Sequence, residues 1–149
     1  MIGPLNVRRS IWIDAKPERV WEEFESFERM RSWYGTGHEL TKYEPRVGGI
    51  VETDAGSLPD SQEALVFRGT VLVFDPPAEI TFEQDWIGHG WPAPALLTIR
   101  LTPVDNGTLV ELFHHAFERF GEAAAENHRG FEEGWTIRQL EALRARVEA

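Results

Sequence analysis

The sequence predicts one α+β domain: an antiparallel sheet of about six or seven strands, covered by a single long C-terminal helix, with two short helices after the first strand. Three observations carry this reading. Between residues 38 and 116 apolar residues alternate with a period of two, broken by turn signals at hairpin spacing. From about Phe120 to Val147 the spacing becomes helical. The chain has 149 residues, 42% of them hydrophobic, which suits one core spanning residues 1–149 and no second domain.

The elements follow in order. Residues 5–13, "LNVRRSIWI", alternate and set Ile11 and Ile13 inward. "DAKPERVWEEF" starts a helix: Asp14 and Pro17 sit near its first turn, acidic residues follow, and Val20, Trp21 and Phe24 recur at helical spacing. "FERMRSW" reads as a second short helix ended by "YGTG". "HELTKYEPRVGGIVETD" gives two strands around a "PRVGG" turn. "ALVFRGTVLVFDPP" is a strand in which Gly69 marks a bulge or a close approach, and Phe67 shares a face with Val71 only if there is no bulge. In "AEITFEQDW" Ile80, Phe82, Gln84 and Trp86 share one face, leaving Glu83 and Asp85 outside. The loop "IGHGWPAP" follows, then "ALLTIRLTPV" with Leu97, Ile99 and Leu101 inward. "DNGT" signals a hairpin with positive φ at Asn106 and Gly107, returning through "LVELFHHAFE". On the last helix, at 100° per residue, Ala124, His128 and Phe131 lie within roughly 40° of Trp135. Leu140, Leu143 and Val147 continue the apolar stripe, while Arg138, Glu141 and Arg144 point elsewhere.

Charge and composition exclude several functions. With 15 Lys+Arg against 25 Asp+Glu the formal charge is −10 and no basic cluster offsets it, so neither nucleic acid nor an anionic membrane is an expected partner. There is no cysteine, hence no disulfide, thiolate ligand or cysteine nucleophile. His38, His89 and His128 are scattered, and His114 and His115 fall on opposite strand faces, a poor chelate, so no metal or other cofactor is expected. No GxSxG stretch exists, and "VGG" and "GHG" do not open helices. Without a signal-like or membrane-spanning apolar run, the expected location is cytoplasmic.

The motif order resembles the helix-grip superfamily of START domains, polyketide cyclases and the birch pollen allergen (the SRPBCC group). It is most similar to the family of the activator of heat shock protein 90 ATPase homologue. The similarity is carried by "IDAKPERVW", "SWYGTG", "PRVGG", "RGTVLVFDPPAEITFEQDW", "NGTLVELFHHAF" and "GWTIRQLEALRARV", which cover nearly the whole chain. The resemblance implies a curved sheet gripping the long helix around a cavity, and a small hydrophobic ligand, aromatic or acyl, as its occupant. Gly134 beside Trp135 then lets a strand or loop approach while Trp135 reaches inward. Gln84 and His114 are the polar residues of the inner face, and His128 lies on the helix stripe with Phe131 and Trp135. Trp33, Trp86 and Trp91, near strand ends and loops, would ring the mouth. The leading expectation is a ligand-binding protein rather than an enzyme. The alternatives are a chaperone-activator interaction module and a cyclase-like enzyme using His114 and Gln84 for proton transfer. Homodimerisation is left open.

Overall fold

β1 (Val7–Ile13) obeys its alternation: Val7 and Ile13 are buried, whereas Arg8, Ser10 and Trp12 face out. The structure, a computed structural model, describes residues 6–34, 38–57, 64–87, 93–117 and 137–149, with Ser57, Ala64, Leu65 and Trp86 described by backbone alone. Pro17 opens α1 (Pro17–Trp21), where its missing N–H costs nothing, and Lys16 is the N-cap. A 3-10 turn (Glu22–Phe24) leads into α2 (Phe27–Tyr34), which buries Met30, Trp33 and Tyr34, residues at i, i+3 and i+4.

Six further strands follow: β2 (Glu39–Tyr43), β3 (Ile50–Ser57), β4 (Ala64–Asp75), β5 (Glu79–Trp86), β6 (Ala95–Val104) and β7 (Gly107–His115). They form one seven-stranded antiparallel sheet of order β1-β7-β6-β5-β4-β3-β2. β1 and β2 are therefore its two edges, and α1 and α2 carry the chain from one edge to the other. Register shifts in β2–β3, β3–β4 and β4–β5 bend the strands, so the sheet curls into a half-barrel. The last helix, α3 (Arg138–Glu148), buries Gln139, Leu140, Leu143 and Val147 and packs against α2 and β1. Its end is pinned where β1 meets α1: the Asp14 backbone N–H donates to Glu148 Oε2 at 2.9 Å. The part of the expected helix from about residue 120 to 136 lies outside the described residues.

The concave face holds the core: Val71, Ile80, Phe82, Leu97, Ile99, Leu101, Val110 and Leu112 are each buried. A ladder of rings joins it to the short helices. Phe74 touches Trp21 (centroids 5.4 Å), then Phe24 (5.0 Å from Trp21), Trp33 (5.0 Å), Tyr34 (5.8 Å) and finally Phe82 (6.2 Å). One stacked contact and four tilted or edge contacts of this kind favour one relative placement of the helices and the sheet.

Two turn features refine the expectations. Positive φ falls at Asp105 (50°) and Asn106 (65°), one residue before the expected Asn106–Gly107 pair, with Val104 opposite Gly107. Gly107 serves another need: a side chain there would strike the Trp12 ring and the Ile13 carbonyl. Gly69 is not a bulge. The extra residue in β4 lies between Val71 and Val73, so Phe67 and Val71 do share a face, opposite Trp86 and Phe82. Gly69 is a close approach, since a Cβ would meet the Glu83 carbonyl on β5. The backbone of β5 would have to move, so Gly69→Ala is expected to cost about 2 kcal/mol, measured by urea denaturation.

Candidate functional site

The concave face is the surface on which the family resemblance implies a ligand, and its polar residues are few among the described residues. Alternation along β5 turns Gln84 inward, where it is 6% exposed, and alternation along β7 turns His114 inward, fully buried. They do not pair with each other. Gln84 lies opposite Ala95 on β6, while His114 lies opposite Leu97, so one whole strand separates them. Two strand spacings amount to about 10 Å.

Gln84 has a different partner. Its Nε2 donates to the Tyr34 hydroxyl at 3.3 Å, and Thr53 of β3 hydrogen-bonds the same hydroxyl. One residue each from α2, β3 and β5 thus converge on a buried, uncharged polar cluster. Burial pushes the Tyr34 hydroxyl above its ordinary pKa, against the opposing effect of the Thr53 bond, so it stays a phenol. His114 packs its ring against Phe117, centroids 4.8 Å apart. Burial, with a smaller contribution from the charge of His115, pushes its imidazole down to about 3. It is therefore neutral throughout the physiological range. The neighbouring His115 faces outward and bonds Thr98 Oγ1 at 3.1 Å, which continues to Thr81 at 2.9 Å.

The remaining expected site residues divide. Trp33, expected at a rim, is interior instead. Its side chain is fully buried between Phe24 and Tyr34, and its Nε1 donates to the Glu23 carbonyl at 3.2 Å. The reason is the helical phase of α2, which turns position 33 to the core along with Met30. Trp91, His128, Phe131 and Trp135 lie outside the described residues. Of Trp86 only the backbone is described, opposite Phe67.

Sequence reasoning missed Glu23, the buried charge that ties the short helices to α3. It is 1% exposed and takes Arg146 Nε at 2.8 Å, Arg19 Nη1 at 3.1 Å and Arg29 Nη1 at 3.3 Å. Burial pushes its carboxyl up, but the bonds and charges of Arg146 and Arg19 outweigh this and hold it below the ordinary value. The one local signal was Arg19 four residues before it; Arg146 is more than a hundred residues away in sequence.

A hollow of about 230 Å³ opens on the other, convex face, lined by Arg8, Ser10, Thr98, Arg100, Glu111 and Phe113. Its arginines, Arg9 also among the lining residues, are engaged: the Arg8 guanidinium lies 4.4 Å over the Phe113 ring, Arg9 Nη1 donates to the Arg8 carbonyl at 2.7 Å, and Arg100 pairs with Glu79 at 2.8 Å. Among the described residues no three His, Asp or Glu side chains gather to hold a metal ion, and no helix is long and apolar enough to cross a membrane.

With the geometry established, similarity to known proteins adds the lineage. Curated protein sequences give no match. The fold is shared with the Chromobacterium violaceum protein CV1439 (22% identity, TM-score 0.70, covering 97% of this chain and 98% of that one). It is shared with the Aha1 dimer of Colwellia psychrerythraea (15% identity, TM-score 0.65, 99% and 97% covered). DynU16, a putative protein in the dynemicin biosynthetic locus, also shares it (19% identity, TM-score 0.69, 99% and 48% covered). The family model "Activator of Hsp90 ATPase homolog 1-like protein" matches residues 14–148. That match spans the short helices after β1, the remaining strands of the curled sheet and nearly all of the C-terminal helix, and the chain belongs to the activator of Hsp90 ATPase homolog 1-like family within the SRPBCC group.

Proposed function

We propose that this domain encloses a small, largely apolar molecule between the concave face of the sheet and its C-terminal helix. The carrying observation is the composition of that face. Among the described residues, β4 to β7 present buried aliphatic and aromatic residues on this face, with neutral polar side chains such as Gln84 and His114 between them and Thr53 on neighbouring β3. An interior of this kind favours apolar guests by removing their surface from water, at roughly 25 cal/mol per Å², and uses a few polar groups for orientation. Trp135 and Phe131, on the helix stripe by sequence, complete the proposed lining. The domain acts as a binding protein; the cyclase-like alternative would need His114 for proton transfer, and an imidazole pushed down to about 3 by burial is a weak base for that task.

Native mass spectrometry of protein purified from its own host tests the reading. A retained molecule released on denaturation supports it. Protein that carries nothing and fails to bind a neutral apolar dye such as Nile red would overturn it. The second reading, favoured by the family description, is a chaperone-activating interaction module. Stimulated turnover on titration into the chaperone ATPase would select it. The same spectra count subunits, and the likeness to a dimeric fold relative supports a homodimer.

A further inference from the structure

Gln84, Tyr34 and Thr53 come from β5, α2 and β3, and their meeting is not required by any one of those elements. Burying three polar side chains costs free energy that apolar residues at the same positions would not, even when the groups satisfy one another. The cluster retains hydrogen-bonding capacity. A primary amide has two N–H donors and a carbonyl acceptor, and the bond to Tyr34 uses a single donor.

The charge distribution around it is one-sided. On the inner faces of β4, β5, β6 and β7, among the described residues, no side chain is ionised. Among the described residues Arg9 is the one charged residue whose register on the sheet is inward, and it is on the edge strand β1, opposite Leu112, three strands from β5. Glu23, buried among the helices, is engaged by the arginines Arg19, Arg29 and Arg146. An anion placed beside Gln84 would therefore lose its hydration without gaining a countercharge from any of these strands, which is strongly unfavourable. An uncharged oxygen would lose little and gain a directed bond.

We propose that the cluster Tyr34–Thr53–Gln84 is the polar subsite of the ligand chamber and selects an uncharged carbonyl or hydroxyl oxygen, so that the ligand class is neutral aromatic or alicyclic ketones and alcohols rather than free carboxylic acids. Gln84 donates to a ketone or accepts from a hydroxyl, and Tyr34 with Thr53 fixes the orientation of its amide. This inference rests on the enclosing reading proposed above and narrows it.

Three probes of nearly one shape separate the two levels: 2-ethylnaphthalene, 2-acetylnaphthalene and 2-naphthoate, each titrated calorimetrically at pH 7 into the full chain. The wild type is expected to bind the ethyl and acetyl compounds and to bind naphthoate more than about tenfold more weakly than the ketone. Gln84→Leu should weaken the ketone about fivefold to tenfold while leaving 2-ethylnaphthalene within about twofold. Tyr34→Phe, which keeps the ring in the aromatic ladder, should act in the same direction and serves if Gln84→Leu folds poorly. Naphthoate binding as tightly as the ketone, or ketone and ethyl affinities falling together in both variants, would overturn the neutral-oxygen subsite while leaving the chamber intact. No binding of any of the three would remove the chamber itself.

Discussion

Trp33→Ala is expected to cost about 4 kcal/mol of folding stability, the largest effect of any single change considered. The indole is fully buried and holds two positions in the ring ladder, edge-on to both Phe24 and Tyr34. Its removal leaves a void in the joint between α2 and the 3-10 turn, and it deletes the bond from Nε1 to the Glu23 carbonyl. A buried carbonyl that loses its donor adds to the cavity cost. Urea denaturation followed by far-UV circular dichroism measures the loss. Trp12, 40% exposed on the convex face, is the control, and its alanine variant should lose less than half as much. A Trp33→Ala loss below about 1 kcal/mol would mean that the ladder does not hold the helices to the sheet.

Glu23→Gln comes next, at about 2–3 kcal/mol near neutral pH. The variant keeps the shape and removes the charge that three guanidiniums share. Fully buried partners would make the loss larger, but Arg19, Arg29 and Arg146 are 38%, 48% and 39% exposed and recover hydration. The pH dependence gives an independent check. Because the folded protein holds the Glu23 pKa below its ordinary 4.5, the charged carboxylate stabilises the fold above that pH. That stabilisation disappears as pH falls through the depressed folded value. Glutamine does not titrate, so the stability gap between wild type and variant should close as the solution is taken below pH 4.5. A gap that stays constant into acid would show that the loss was one of packing.

The sheet and its connections were legible in the sequence because a period of two and a period of 3.6 are local properties. Alternation alone placed Gln84 and His114 on the inner face, and it placed His115 outside. The partners were not legible. Gln84 meets Tyr34 from 50 residues away, and that depends on how α2 docks, which no local pattern encodes. Trp33 read as a rim residue because a Gly-containing loop follows it, yet the phase of an eight-residue helix decides its burial. Glu23 read as one more acid near a helix start; its burial follows from Arg146 arriving on α3. The hairpin at Asp105–Asn106 shifted by a residue because Gly107 was needed for contact with Trp12, a constraint from another strand.

The proposed chamber between sheet and helix is tested most directly by methyl carbon–proton spectra recorded while 2-ethylnaphthalene is added. The expected result is saturable movement of methyls on the concave face, those of Leu97, Ile99 and Leu112, with the convex-face methyls of Leu72, Val73 and Val104 unmoved. No movement at any concentration short of solubility, or movement confined to the convex-face set, would contradict it.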